Sequence, residues 1–379
     1  MSVVQLLPEL EVGGVEQGTL EIAAALVAAG HRAVVISGGG RLVPQLEALG
    51  ATHITLPIGR KRPSSVLLIR QLRALFVREQ IDLVHARSRL PAWLGYLALK
   101  GLPVAERPRW VTTVHGPYRV NRYSQIMVSG ERVIAISQFI RGYIARAYPA
   151  VPASRVRVIP RGVDRAQWPA DYVPPAAWLA AWQERHPALR SQPALVLPGR
   201  LTRWKGPEDF LGVLARLRAR GLAVHGLLAG GPHPHKLAFE RSLRALAREL
   251  DVADDLSFLG QRRDLREVIA VSACAFSLTR VPEAFGRTTL EALSLGVPVV
   301  GYDHGGTGEI LRAVFPAGLV PPGDLDAAAQ RCADFLAAPP SVQGEHGYTT
   351  AQLQAATLAV YAELCHAPRP DHAQASARG

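Results

Sequence analysis

PEAFGRTTLEALSLGVPVVG occupies residues 282–301 and passes from loop to helix to strand. The loop holds Pro282 and Gly286. Residues 288–295 carry the helical pattern, and the β-branched run 297–300 reads as a buried strand. Two glutamates frame the loop-to-helix break, Glu283 before it and Glu291 within the expected first turn. Thr288-Thr289-Leu290-Glu291 fits a capping box, in which Glu291 would only satisfy the helix start. The alternative is a ligand site. Backbone N–H groups around Gly286 and the helix start would take phosphate oxygens, and the carboxylates would accept hydrogen bonds from sugar hydroxyls. Spacing alone leaves both open.

The same strand–loop–helix unit recurs outward in both directions. Strands are expected over residues 2–7, 32–37, 83–86, 110–114, 132–136 and 156–159. After a break they resume at 194–198, 223–229, 256–259, 273–278 and 297–300. Amphipathic stretches such as 15–29, 64–79, 138–148, 210–220 and 237–250 lie between. Strand and helix in alternation predict parallel, doubly wound sheets, and the interruption predicts two of them facing a cleft. The expected organisation is a first α/β domain over 1–164, a Pro- and Trp-rich linker over 165–193 and a second α/β domain over 194–348. A helix over 349–366 would cross back to the first domain, and the tail 367–379 would be disordered.

Composition narrows the classes. No apolar stretch is long enough to span a bilayer, and the first residues carry neither a basic region nor a cleavage pattern, so a cytoplasmic protein is expected. Three distant cysteines suggest no disulfide framework, and no His/Cys cluster has metal spacing. The net charge of +12 is lopsided. Residues 1–165 hold 22 Lys and Arg against 10 Asp and Glu, while the remainder holds 21 of each. Clusters at Arg60-Lys61-Arg62, Arg70/Arg73, Arg87/Arg89, Arg107/Arg109 and Arg119/Arg122 fit an anionic partner such as a phosphorylated acceptor or a phospholipid surface. Solvated faces of an arginine-rich chain would look the same. Nucleic acid is not expected as a partner, because the cations are not interleaved with aromatics and no nucleic-acid module is present.

The other strand ends carry further candidates. In ALVLPGRLTRWKGPEDF (194–210), Arg200 and Lys205 sit at the mouth of a strand-to-helix loop, where a fork and a point charge suit a diphosphate. Pro207 opens the next helix, with Glu208 and Asp209 in its first turn. Gly13-Gly14 follows the first strand and lets a ligand approach the backbone, although G-x-G-x-x-G is absent. His115, past the strand 110–114, could donate a hydrogen bond to a ligand, and an ordinary loop histidine would look the same. Asp324-Leu325-Asp326 mimics a metal-binding pair, but helix capping explains it better.

Together these motifs resemble the retaining "group 1" glycosyltransferases of the GT-B fold, two Rossmann-like domains facing a central cleft. The specific parts are E-x7-E (Glu283, Glu291), GRLTRWKG, VIPRGVD and GGVEQGTLEIAAALVAAGH. VHARSRLPAW and TTVHGPYRVNRYSQIM are similar to the members that build lipopolysaccharide and envelope polysaccharide. The resemblance implies roles. Arg200 and Lys205 would hold the donor diphosphate, Glu283 hydroxyls of the transferred sugar, and Glu291 the ribose. Phe285, Gly286, Arg287 and Thr288 would offer backbone N–H groups, Gly14 would sit near the diphosphate, His115 near the donor sugar, and Gly260 in the base pocket.

It further implies a nucleotide sugar, most often a UDP-sugar, as donor, and no metal or other cofactor. The acceptor would be a lipopolysaccharide core or lipid-linked glycan, held by the first domain at the inner membrane surface. Arg87, Arg89, Arg119 and Arg122 are the candidates to meet it. Arg161, in VIPRGVD, departs from the family's usual Asn and is expected to add a charge near the interdomain hinge, away from chemistry. The rival functions are a nucleotide-sugar epimerase of the same architecture and a basic nucleic-acid-binding protein.

Overall fold

A computed structural model describes residues 1–11, 13–60, 65–231, 237–342 and 346–367. Lys61 and Arg62 of the first basic cluster, the expected helix start at Ser64 and the tail from residue 368 lie outside the described residues. The chain forms two units, one of Met1–Arg161 with the last helix and one of Gly162–Thr349.

Unit 1 is built on seven parallel strands: β1 Ser2–Leu6, β2 Arg32–Ser37, β3 Thr52–Thr55, β4 Leu83–Ala86, β5 Arg109–Val114, β6 Arg132–Ala135 and β7 Val156–Val158, in the order β3-β2-β1-β4-β5-β6-β7. Because helices cover both faces, the central strands are almost wholly buried, their apolar runs broken by buried polar residues such as Gln5, His85 and Thr112. The order reverses direction at β1, which pairs with β2 on one side and β4 on the other. That switch point opens a crevice at the carboxyl ends of the strands.

The helix Thr350–His366 belongs to unit 1. It packs on the helix Gly14–Ala28, and its Gln354 amide donates to the Glu21 carbonyl at 2.9 Å. Its Tyr361 is fully buried and bonds His85 Nδ1 at 2.6 Å.

Unit 2 repeats the plan with six parallel strands: β8 Ala194–Pro198, β9 His225–Ala229, β10 Leu256–Phe258, β11 Cys274–Ser277, β12 Val299–Tyr302 and β13 Leu319–Val320, in the order β10-β9-β8-β11-β12-β13. The switch point lies at β8, between β9 and β11.

Two expectations change. The edge strands β3 and β13 were not foreseen. Thr52–Thr55 is polar and half exposed, and Leu319–Val320 is only two residues long. The stretch 165–193 is built into unit 2 rather than standing as a linker. Trp182 is buried, Trp178 stacks on it with ring centroids 5.0 Å apart, and the Trp178 indole donates to Asp264 at 2.8 Å. Tyr172 likewise donates to Glu267 at 2.6 Å. Its prolines interrupt secondary structure, but its aromatic rings fasten it down.

Candidate active site

In unit 2 the candidate residues gather where β8, β11 and β12 end. The loop after β8 turns through a short 3-10 segment, Arg203–Lys205, into Gly206 at φ 71°. A side chain at 206 would place Cβ 1.8 Å from the Leu278 carbonyl oxygen, so only glycine lets the loop lie against the chain leaving β11. That close approach brings Lys205 onto Glu283. Their ammonium and carboxylate form a largely buried ion pair, with the Lys205 ammonium 4.7 Å from the Trp204 ring centroid. Two residues suggested by separate motifs thus meet. Arg200, by contrast, is exposed and makes no ion pair among the described residues.

The framework behind this pair was not legible beforehand. Asp209, expected simply as a helix-start acid, is buried. It accepts from Arg280 Nη2 at 2.5 Å and from the Tyr302 hydroxyl at 2.9 Å. Arg280's backbone N–H in turn donates to the Trp204 carbonyl at 2.8 Å. Burial, and then the hydrogen bond to Asp209, push the Tyr302 phenol well above its ordinary range, so it stays a donor.

Glu283 is held from the other side by the turn after β12. Gly306 N–H donates to the Glu283 carbonyl at 2.7 Å, and a side chain at Gly305 would strike that same carbonyl. The cue was DHGGTGE (303–309), another strand followed by glycines and a helix.

The helix after this loop starts one residue earlier than expected, at Arg287, with Gly286 at φ 98° as its N-cap. Glu291 therefore lies beyond the first turn and closes no capping box. It is buried and accepts from Arg287 Nε at 2.9 Å, an i,i+4 pair. The first N–H groups of the helix, at Arg287 and Thr288, have no intrahelical acceptor. Phe285 is buried edge-on to Tyr348, with centroids 6.0 Å apart. Gly260 adopts φ 66° just beyond β10. Asp324 caps its helix by accepting from Ala327 N–H at 2.9 Å, which is the structural role expected of it.

In unit 1 the carboxyl edge is cationic and more deeply closed. Gly14 begins its helix, and a Cβ there would meet nothing within 4 Å, so the backbone lies open to a ligand. Arg87 corrects an expectation. It is no surface cation but 3% exposed, with Nε donating to Gln5 at 2.7 Å, because it leaves β4 inside the switch-point crevice. Arg89 is half-buried, donates to Ser124 at 3.3 Å and lies 5.0 Å from the Tyr118 ring centroid. Arg119 and Arg122 are exposed. Of the Arg107/Arg109 cluster, Arg109 is buried and pairs with Glu131 at 3.0 Å.

Arg161, expected near the interdomain hinge, is the last residue before the chain enters unit 2. It is buried and donates from Nη2 to His115 Nδ1 at 2.8 Å. Burial, then the charges of Arg161, Arg87 and the neighbouring His85, hold His115 well below the usual histidine range. His85 is neutral for the same reasons, burial first and then Arg87 and Arg161.

Among known proteins, residues 12–167 match the family described as Glycosyltransferase Family 4, and residues 181–346 match Glycosyl transferases group 1. A glycosyltransferase from Rickettsia africae superposes with a TM-score of 0.85 at 26% identity, over 97% of this chain and 99% of that one. The Anabaena protein HepE, solved with UDP and glucose, superposes with a TM-score of 0.74 at 20% identity, over 96% and 95%. The D-inositol 3-phosphate glycosyltransferase of Mycolicibacterium gilvum is 28% identical over 69% of this chain, and the match spans 60% of that relative's length.

Proposed function

This chain belongs to the group 1 glycosyltransferases of the GT-B fold, and on that premise we propose that it moves a sugar from a nucleoside-diphosphate donor to a hydroxyl of an anionic acceptor. The observation that carries the donor assignment is the Lys205–Glu283 pair at the end of β8, beside a helix start whose N–H groups face outward along its axis. A diphosphate arriving there competes with Glu283 for the Lys205 ammonium. The lysine, with Arg200, then balances the leaving diphosphate, and Glu283 is released to accept hydrogen bonds from the transferred sugar. Glu291, held by Arg287, is the carboxylate that meets the ribose hydroxyls. UDP is the proposed nucleotide of the donor, supported by the ligands of the Anabaena relative.

Transfer proceeds with retention. The acceptor hydroxyl attacks on the face that the diphosphate leaves, a phosphate oxygen takes its proton, and the enzyme supplies charge and position. Because two side-chain cations stand where a metal would otherwise balance charge, turnover is expected to survive EDTA. Abolition by EDTA sinks that part.

The acceptor carries phosphate, a lipopolysaccharide core or lipid-linked glycan at the inner membrane face. The cationic edge of unit 1 and the phosphate named in the Mycolicibacterium relative support this. A protein that ignores anionic liposomes at low salt would remove the membrane from the proposal.

The decisive experiment is a thermal-shift panel of UDP, GDP, ADP and CMP without metal, run on wild type and Lys205→Ala. A ligand at a hundred times its Kd adds about 2.7 kcal/mol. One diphosphate stabilising the wild type alone supports the site, whereas no response to any of them ends it.

A further inference from the structure

His115 and Arg161 meet in a way that sets the chemistry of the ring. His115 Nδ1 lies 2.8 Å from Arg161 Nη2. A guanidinium is all donor and keeps its charge, so the ring nitrogen it touches has to accept and cannot hold a proton. A neutral imidazole has one proton, which then sits on Nε2. Nε2 is closed to solvent and finds no hydrogen-bond partner among the described residues. A buried N–H left in that state costs stability, and its persistence asks for a use.

The helix Gly14–Ala28 makes room for the guanidinium. At Gly18 any Cβ would fall 1.8 Å from Arg161 Nη1. The groups bearing on the ring from the packed elements are Arg161, Arg87 and His85, and its own loop adds Tyr118, whose hydroxyl accepts from the His115 backbone N–H at 3.3 Å. Glu21, buried on the helix that carries Gly18, acts on Arg87.

We propose that Arg161 is a positioning residue that locks His115 as a neutral Nε2–H donor, aimed to meet an oxygen of the ligand bound at the carboxyl edge of unit 1, and bars the ring from serving as a base. That the oxygen is a hydroxyl of the transferred sugar rests on the transferase reading above. The locked tautomer does not.

The test uses the full chain labelled with 15N-histidine and long-range proton–nitrogen correlation, with the His115 signals identified by their loss in His115→Phe. Wild type is expected to show the proton on Nε2 and no titration between about pH 5.5 and 8. In Arg161→Met the ring should lose its fixed tautomer and take up a proton at higher pH than in wild type, while burial and Arg87 still hold it below its ordinary range. Arg161→Lys, still a cation with no acceptor, should restore the untitrated ring. In turnover, Arg161→Met should lose about tenfold in kcat at pH 8 and more at pH 6, where wild type stays flat.

A wild-type ring protonated on Nδ1, or titrating near 6.5, overturns the proposal. So does an Arg161→Met ring indistinguishable from wild type. If that variant does not fold, the wild-type spectrum decides alone. Since the spectra need no substrate, a chain that never transfers sugar would refute the transferase reading while leaving the tautomer to be judged separately.

Discussion

The carboxyl edges of the two sheets are built from the same topology and arranged oppositely in charge. In unit 2 cations meet carboxylates: Lys205 with Glu283, Arg287 with Glu291, Arg280 with Asp209. In unit 1 Arg87 donates to Gln5, Arg161 to His115 and Arg89 to Ser124, with carboxylates sparser: Glu21 acts on Arg87 and Glu11 pairs with Arg41. Neutral pairs hold a loop in place and give way to a ligand that supplies its own charges. Cations whose hydrogen bonds go to neutral acceptors keep more of their positive field and favour an anion. The same fold therefore provides one edge that exchanges partners and one that attracts charge.

Breaking the exchanging edge should have the largest effect. Lys205→Ala and Glu283→Ala are each expected to lower kcat by about a hundredfold or more, the scale of losing one contact made to developing charge. Steady-state kinetics with the donor chosen by the thermal-shift panel measure this. Near-native turnover in both variants would mean that the ion pair is merely structural.

Next comes the support beneath that edge. Gly206 combines a left-handed φ of 71° with a backbone oxygen where its Cβ would go. Gly206→Ala should cost about 2 kcal/mol or more in urea unfolding and displace Lys205 from Glu283. A variant as stable as wild type would show that the loop relaxes freely and that the pair does not depend on this approach.

How much of this could be read in advance differs between the edges for a physical reason. The alternation was legible because parallel strands buried on both faces are mostly apolar, as in Ala194–Pro198, even where a buried Gln5 interrupts Ser2–Leu6. Lys205 and Glu283 were suggested as separate motifs, each local to one strand end. The partners of Asp209 and His115 lie 71 and 46 residues away, at Arg280 and Arg161, and no window of sequence contains both members. Nor does composition distinguish a solvated arginine from one leaving a strand into a crevice, and so Arg87 was misplaced. The Pro-rich run 165–193 misled in the same way, since prolines report where secondary structure stops and not whether tryptophans pack.

The attracting edge should also declare itself in stability against pH. His85 and His115 are held below the usual histidine range, so they stay neutral in the fold while the unfolded chain takes up protons below about pH 6.5. The unfolded state then binds more protons, and stability falls as pH drops, at up to about 1.4 kcal/mol per pH unit for each ring. At pH 6, only half a unit into that window, the loss should be near 0.8 kcal/mol per histidine. Urea midpoints at pH 7.5 and 6 measure it, and His115→Gln should remove one ring's share. A midpoint independent of pH would mean that the rings are already charged in the fold.

The mildest prediction separates binding from folding at the surface. Arg119 and Arg122 are exposed in the loop that follows His115 and its neighbours. If unit 1 attracts an anion, Arg119→Gln and Arg122→Gln should each weaken sedimentation with anionic vesicles about fivefold at low salt, the scale of one basic residue near a charged surface. Added salt should erase the difference, because exposed charges are screened beyond about 10 Å at 0.1 M. Unfolding midpoints should not move, as surface changes away from packed features rarely matter. Arg312→Gln, which removes an exposed cation paired with Asp303 in unit 2, is the control and should leave vesicle binding unchanged. Equal losses from both units would show that the vesicles read net charge alone and that the contrast between the two edges plays no part in choosing the partner.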